Sequence, residues 1–157
     1  MNLTATQSRR CRGLLHNMLI RNTLTAIITL LLALPASAEV IQVDNDKLKV
    51  LMAAGVPVVD VRTPEEWKTT GVVEGAHLLT FFDRNGRYDA RKFLHDLRQI
   101  AAPDEPVVFI CEVGGRTGVI TRFLDTKAGY TKVHDVSKGI RAWINAGEPV
   151  AKAQPPH

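Results

Sequence analysis

Cysteine is nearly absent from this chain, which has two thiols, Cys11 and Cys111, in 157 residues. So small a supply excludes a disulfide framework and a cysteine-rich metal centre. Long apolar runs are missing as well. The most extended one, LTAIITLLLAL from Leu24 to Leu34, has 11 residues, about half of the ~20 that a membrane-spanning helix needs. Acidic residues are wholly absent from the first 38 positions, where Arg9, Arg10, Arg12 and Arg21 fall. With those four set aside, 16 of the 20 basic residues remain against 16 acidic ones, a net charge of zero. That balance argues against a nucleic-acid-binding surface.

What the first 38 residues do contain is ordered. Arginines come first, the apolar run second, and Pro35 with the small-residue site Ala36, Ser37 and Ala38 last. That order is the signature of a secretory signal peptide spanning residues 1–38 and cleaved after Ala38, with a periplasmic destination and no stable membrane span. Met18 opens a stretch of ordinary signal length, so either Met1 or Met18 can serve as the start. Cys11 leaves with the leader, and Cys111 becomes the single cysteine of the exported domain. A lone thiol in an oxidising compartment is a liability unless it is buried or used.

The rest alternates between two periodicities. Leu48, Leu51 and Met52 mark a helix with Asp44 as N-cap and Gly55 beyond its end. VPVVDV (Val56 to Val61) reads as a buried strand. Thr63, Pro64 and Glu66 form a capping box with proline at the first helical position, and that helix breaks by Gly71. AHLLTF (Ala76 to Phe81) is a second strand candidate. Asp89 caps a helix predicted over Ala90–Ala101. PVVFIC (Pro106 to Cys111) is apolar throughout, as in a parallel strand buried on both faces. Val119, Ile120, Phe123 and Leu124 mark a helix ended by Gly129. KVHDV (Lys132 to Val136) is the last strand, and Ile140, Trp143 and Ile144 mark the last helix, with Gly147 as its stop. Strands alternating with helices imply parallel β–α–β units, whose sites gather at the carboxyl ends of strands. Cys111 lies at one such end and Asp60 to Arg62 at another.

Glu112, Val113, Gly114, Gly115, Arg116 and Thr117 follow Cys111. Glycines let successive backbone N–H groups converge without Cβ clashes, and converging N–H groups at a helix start form a nest for an anion. A thiolate is such an anion and a nucleophile. Arg116 adds positive charge at the far side of the loop. The competing reading is that Cys111 is a buried strand residue followed by a tight turn.

Three blocks resemble the rhodanese family, over about Val56 to Val150. VVDVRTPEEWKTTGVVEGAHLL (Val58 to Leu79) is similar to the family's block of Asp-x-Arg, a Glu-aromatic pair and a Gly-x-x-x-Gly-Ala turn. CEVGGRTG (Cys111 to Gly118) resembles its active-site loop. GYTKVHDVSKGIRAWINAGEPV (Gly129 to Val150) resembles its closing block. The resemblance implies a rhodanese domain over residues 39–150, with a loose tail over 151–157. It implies a three-layer α/β/α fold on a five-stranded parallel sheet. It also implies sulfur transfer with no metal or organic cofactor. The Cys111 thiolate takes sulfur from a sulfane donor (thiosulfate, polysulfide or persulfide), the N–H groups from Glu112 to Arg116 hold the persulfide, and a thiol, cyanide or protein acceptor removes it.

Cysteine phosphatases and arsenate reductases space their loop as Cys-x5-Arg, one residue longer than the Cys-x4-Arg here, and are the less favoured enzyme reading. A weakly catalytic or non-catalytic sulfur carrier that docks an envelope partner is the alternative from another class. Asp60 and Arg62 are expected to support the site as a structural pair, and Glu66 to serve as a cap. His77 and His134 lack metal-ligand spacing to any partner. Trp67 and Trp143 are expected in the core, and Phe81 and Phe82 either in the core or at the pocket mouth. Glu112 is expected to face the donor and to repel a dianion, and Lys138 to return some positive charge.

Overall fold

The computed structural model describes residues 40–153. Five parallel strands form one sheet in the order β1-β5-β4-β2-β3. They are β1 (Ile41–Val43), β2 (Val58–Asp60), β3 (His77–Leu78), β4 (Val107–Ile110) and β5 (Val133–Val136). The helices are α1 (Asn45–Ala53), α2 (Pro64–Thr70), α3 (Ala90–Leu97), α4 (Gly115–Phe123) and α5 (Gly139–Asn145). A π-helical turn (Leu124–Ala128) continues α4 and ends at Gly129, whose φ is 76°.

The period of two along a strand explains the three layers. On β4, Val107 and Phe109 face one core with Phe93, Leu97, Ile120 and Leu124 from α3, α4 and the π-helical turn. Val108 and Ile110 face the other, with Leu48, Ile140 and Trp143 from α1 and α5. All four β4 residues are fully buried, and each such side chain contributes on the order of 1.5–3 kcal/mol of burial. The fold is therefore the expected three-layer α/β/α arrangement with β4 at its centre.

The local signals act as their chemistry requires. Asp44 and Asp89 accept the N–H groups of Lys47 and Lys92, each at 2.9 Å. The capping box closes from both sides, with Thr63 N–H donating to Glu66 Oε2 at 3.0 Å and Glu66 N–H approaching Thr63 Oγ1 at 3.5 Å.

Four expectations change. β1 carries no strand signal, because two of its three residues are exposed; it is an edge strand held by β5, with Gln42 Nε2 donating to Asp135 Oδ2 at 3.0 Å. The strand expected over Ala76–Phe81 shrinks to His77–Leu78, although the N–H groups of Leu79 and Phe81 still donate to the carbonyls of Asp60 and Val61, at 3.1 and 3.4 Å. The helix expected to reach Ala101 ends at Leu97, and tight turns carry the chain on. The tail is not loose at its start, because Ala151 exchanges both backbone hydrogen bonds with Val72, at 3.0 and 2.8 Å. The leader expected over residues 1–38 and the last four residues lie outside the described residues. Among the described residues no helix is long and apolar enough to cross a membrane.

Candidate active site

Cys111 follows β4 directly and is 1% exposed. Its Sγ accepts the N–H of Gly114 at 3.1 Å and lies 3.6 Å from Thr117 Oγ1. The Thr117 hydroxyl is also 3.0 Å from the Gly114 carbonyl. One hydroxyl proton serves either acceptor, and a thiolate would draw it to sulfur. Of the N–H groups expected to converge, that of Gly114 alone reaches Sγ itself among the described residues.

Two close approaches shape the loop. Gly114 caps α4 with φ 92°, and a Cβ there would stand 1.9 Å from the Ser137 carbonyl oxygen. Gly139 has φ 60°, and a Cβ there would stand 2.3 Å from the Glu112 carbonyl oxygen. Glycine is therefore required at both places, for conformation and for space. At the same seam, the N–H groups of Ile140 and Arg141 donate to the carbonyls of Cys111 and Glu112, at 2.8 and 3.0 Å. A trans peptide sets its N–H opposite its carbonyl, so the N–H groups of Glu112 and Val113 face away from α5. Sequence alone did not single out Ser137 and Gly139; the only available signal was a glycine placed just after a strand.

Arg116 is not a free cation. Its Nη1 donates to Glu66 Oε2 at 2.8 Å, and its Nη2 pairs with Glu66 Oε1. Glu66 is thus both the expected cap and the clamp on Arg116, a second role that its local motif does not reveal. The bidentate Arg116 contact, helped by Thr63, lowers the Glu66 carboxyl from 4.5 to about 2 against the opposing effect of burial. A carboxyl lowered on folding stabilises the fold above its ordinary value and loses that contribution as pH falls toward the folded one. The stability gap between the parent and Glu66→Gln should therefore be full at pH 7, shrink below about pH 4.5 and vanish near pH 2. Denaturant titrations across that range measure it, and a gap that stays constant would contradict the pairing.

Asp60 and Arg62 are buried, at 0% and 1% exposure. Arg62 Nη2 donates to Asp60 Oδ2 at 2.7 Å and to the Gly71 carbonyl at 2.8 Å, and Nη1 donates to Thr70 Oγ1 at 2.6 Å. These bonds run to the end of α2, not to the Cys111 loop.

Glu112 does not stand alone beside the sulfur. Its Oε1 pairs with Arg141 Nη2 at 2.5 Å, across 29 residues of sequence. Val113 is 60% exposed on the loop's outer side. Lys138 sits exposed between Ser137 and Gly139 and forms no ion pair among the described residues. Phe81 is core, packed edge-on to Phe82 and Phe93 at 4.7 Å each, and Trp67 and Trp143 are buried as expected. His134 is largely buried in β5, which lowers its pKa, with a further contribution from Lys47.

The arrangement resolves into a buried cysteine at a strand end, a glycine-shaped loop over it and two arginines held by carboxylates. The family model of the rhodanese-like domain matches residues 44–146. The chain belongs to the rhodanese-like domain family. Among curated relatives of this rhodanese-like protein, Thiosulfate sulfurtransferase 18 of Arabidopsis thaliana is 30% identical over 116 residues, 71% of this chain and 84% of the relative. A crystal structure of a rhodanese-related protein from Thermoplasma volcanium superposes with TM-score 0.54 at 25% identity, over 72% of this chain and 99% of that one. The polysulfide-sulfur transferase homodimer of Wolinella succinogenes shares the fold, with TM-score 0.56 at 19% identity, over 85% and 90% of the two chains. At the level of the family, the rhodanese-like chain is a sulfurtransferase homologue.

Proposed function

We propose that this protein is an exported sulfurtransferase working through a persulfide on Cys111. The Cys111 thiolate attacks the outer sulfur of a sulfane donor. The donor's S–S bond breaks, sulfite or a thiolate leaves, and Cys111 holds the sulfur as a persulfide anion. A thiol or cyanide then attacks that outer sulfur and leaves with it, returning the thiolate. Charge and sulfur balance at each step, and no electrons are needed from outside.

The observation that carries this reading is the Gly114 N–H at 3.1 Å from Sγ within the six-residue loop from Cys111 to Arg116. The loop N–H groups from Glu112 to Arg116 offer positive dipoles to the persulfide, whose negative charge sits one atom farther out. Asp60 and Arg62 support the site through α2. A phosphatase or arsenate-reductase reading is disfavoured on two grounds. The loop is one residue short, and Arg116, which would have to grip the anion's oxygens, already commits two of its five N–H donors to a carboxylate. The test is steady-state transfer from thiosulfate or a thiosulfonate to cyanide, read as thiocyanate. Persulfidation of Cys111 without onward transfer to cyanide or any thiol would instead favour the carrier module.

Export rests on the leader's order of basic, apolar and small residues. The mature N-terminus is expected at Glu39 in a periplasmic fraction, read by mass analysis of the purified protein. A chain that keeps Leu24 to Leu34 in the membrane fraction would contradict it.

A further inference from the structure

The charged groups around the Cys111 loop come from three elements. α2 supplies Glu66, which holds Arg116 of the loop itself. α5 supplies Arg141, which holds Glu112. The segment between β5 and α5 supplies Lys138, which has no carboxylate partner within 4.0 Å among the described residues. Both arginines are therefore neutralised by a carboxylate. Together the two pairs carry no net charge. Such a rim gives a doubly charged donor little attraction over a singly charged one.

The two neutralised pairs differ in how easily they change. Glu66 and Arg116 side chains are 27% and 26% exposed, and the carboxylate is also bound to Thr63. Glu112 and Arg141 side chains are 43% and 59% exposed and hold each other by a single close contact. Glu112 is covalently next to Cys111, and the Arg141 N–H is bound to the Glu112 carbonyl at 3.0 Å, so both charges sit at the edge of the sulfur loop.

We propose that the Glu112–Arg141 pair is the charge selector of the site, holding the rim neutral so that singly charged or uncharged sulfane donors compete well against a dianion. The proposal rests on the Cys111 persulfide reading and names the donor class for it. Cancelling Glu112 leaves Arg141 bare and draws in the dianion. Cancelling Arg141 leaves Glu112 bare and repels it. The two halves of one ion pair therefore have opposite effects on selectivity, which a merely structural contact would not have.

The experiment compares thiosulfate, a dianion, with benzenethiosulfonate, a monoanion. Each gives up its outer sulfur, leaving sulfite or benzenesulfinate. The reading is the ratio of kcat/KM for thiosulfate to that for benzenethiosulfonate. Glu112→Gln should raise the ratio by about threefold to tenfold, and Arg141→Gln should lower it by a similar factor. The double variant should fall near the parent, and about 0.5 M salt should shrink both shifts. Thermal melts of all variants keep folding out of the comparison, since neither side chain is buried. Shifts in the same direction, or a ratio unmoved while Cys111 still gains sulfur, overturn the selector and leave the sulfurtransferase reading intact. A parent that gains no sulfur from either donor overturns both.

Discussion

Cys111→Ser is expected to abolish sulfur transfer, by at least about 10³-fold in kcat/KM, with the thermal midpoint staying close to that of the parent. A serine hydroxyl is nearly the shape of the thiol and would keep hydrogen-bond partners in the Gly114 N–H and Thr117 Oγ1, now 3.1 and 3.6 Å from Sγ. It cannot ionise near neutral pH, and the sulfur chemistry depends on an anionic nucleophile. The small loss of volume in a core shared with Val59, Phe109 and Ile120 is tolerated. Parallel rate and melting measurements check both halves. Activity above a few per cent of the parent with any sulfane donor would mean that the reaction uses another group.

Arg62→Met should be the largest single blow to stability. Methionine fills much of the space but leaves Asp60, fully buried, without the guanidinium that now meets both its oxygens at 2.7 to 3.1 Å. Breaking a buried pair in this way costs about 3–5 kcal/mol, a fall of roughly 10–20 °C in midpoint for a domain of this size. It also removes the bonds to Thr70 and Gly71 that pin the end of α2. Transfer should fall as well, because α2 carries the carboxylate that holds Arg116. Replacing Asp60 and Arg62 together with apolar residues should recover part of the stability, since no buried charge is then left unpaired. A loss below about 1 kcal/mol for Arg62→Met would show that the pair carries little of the fold.

The residues that announce the fold are those whose effect is local. Asp44, Thr63 with Glu66, and Asp89 cap helices from within their own segments. Gly55, Gly71, Gly129 and Gly147 end helices at positive φ. β4 is legible because burial on both faces leaves it uniformly apolar. β1 is not, because an edge strand of three residues is made by its neighbour rather than by its own pattern. The site divides in the same way. Cys111, its glycines and Arg116 are consecutive, so their chemistry can be read from order alone. Their counterions cannot. Glu66 lies 50 residues from Arg116, and Arg141 lies 29 from Glu112. Nothing in a linear pattern says which carboxylate meets which guanidinium once α2 and α5 pack beside the loop. Glu112 was therefore expected to act as a bare repelling charge, and Arg116 as a free attracting one. Folding pairs each with an opposite charge, and the electrostatic character of the entrance changes with it.

The most direct test of the account is the mass of the Cys111 peptide from the wild-type protein after exposure to thiosulfate or benzenethiosulfonate and removal of excess donor. The account predicts a gain of one sulfur atom on Cys111, lost on addition of cyanide as an equal amount of thiocyanate appears. A Cys111 thiol that stays unmodified by every donor while remaining open to alkylation, or a sulfur carried on any other residue, would contradict it.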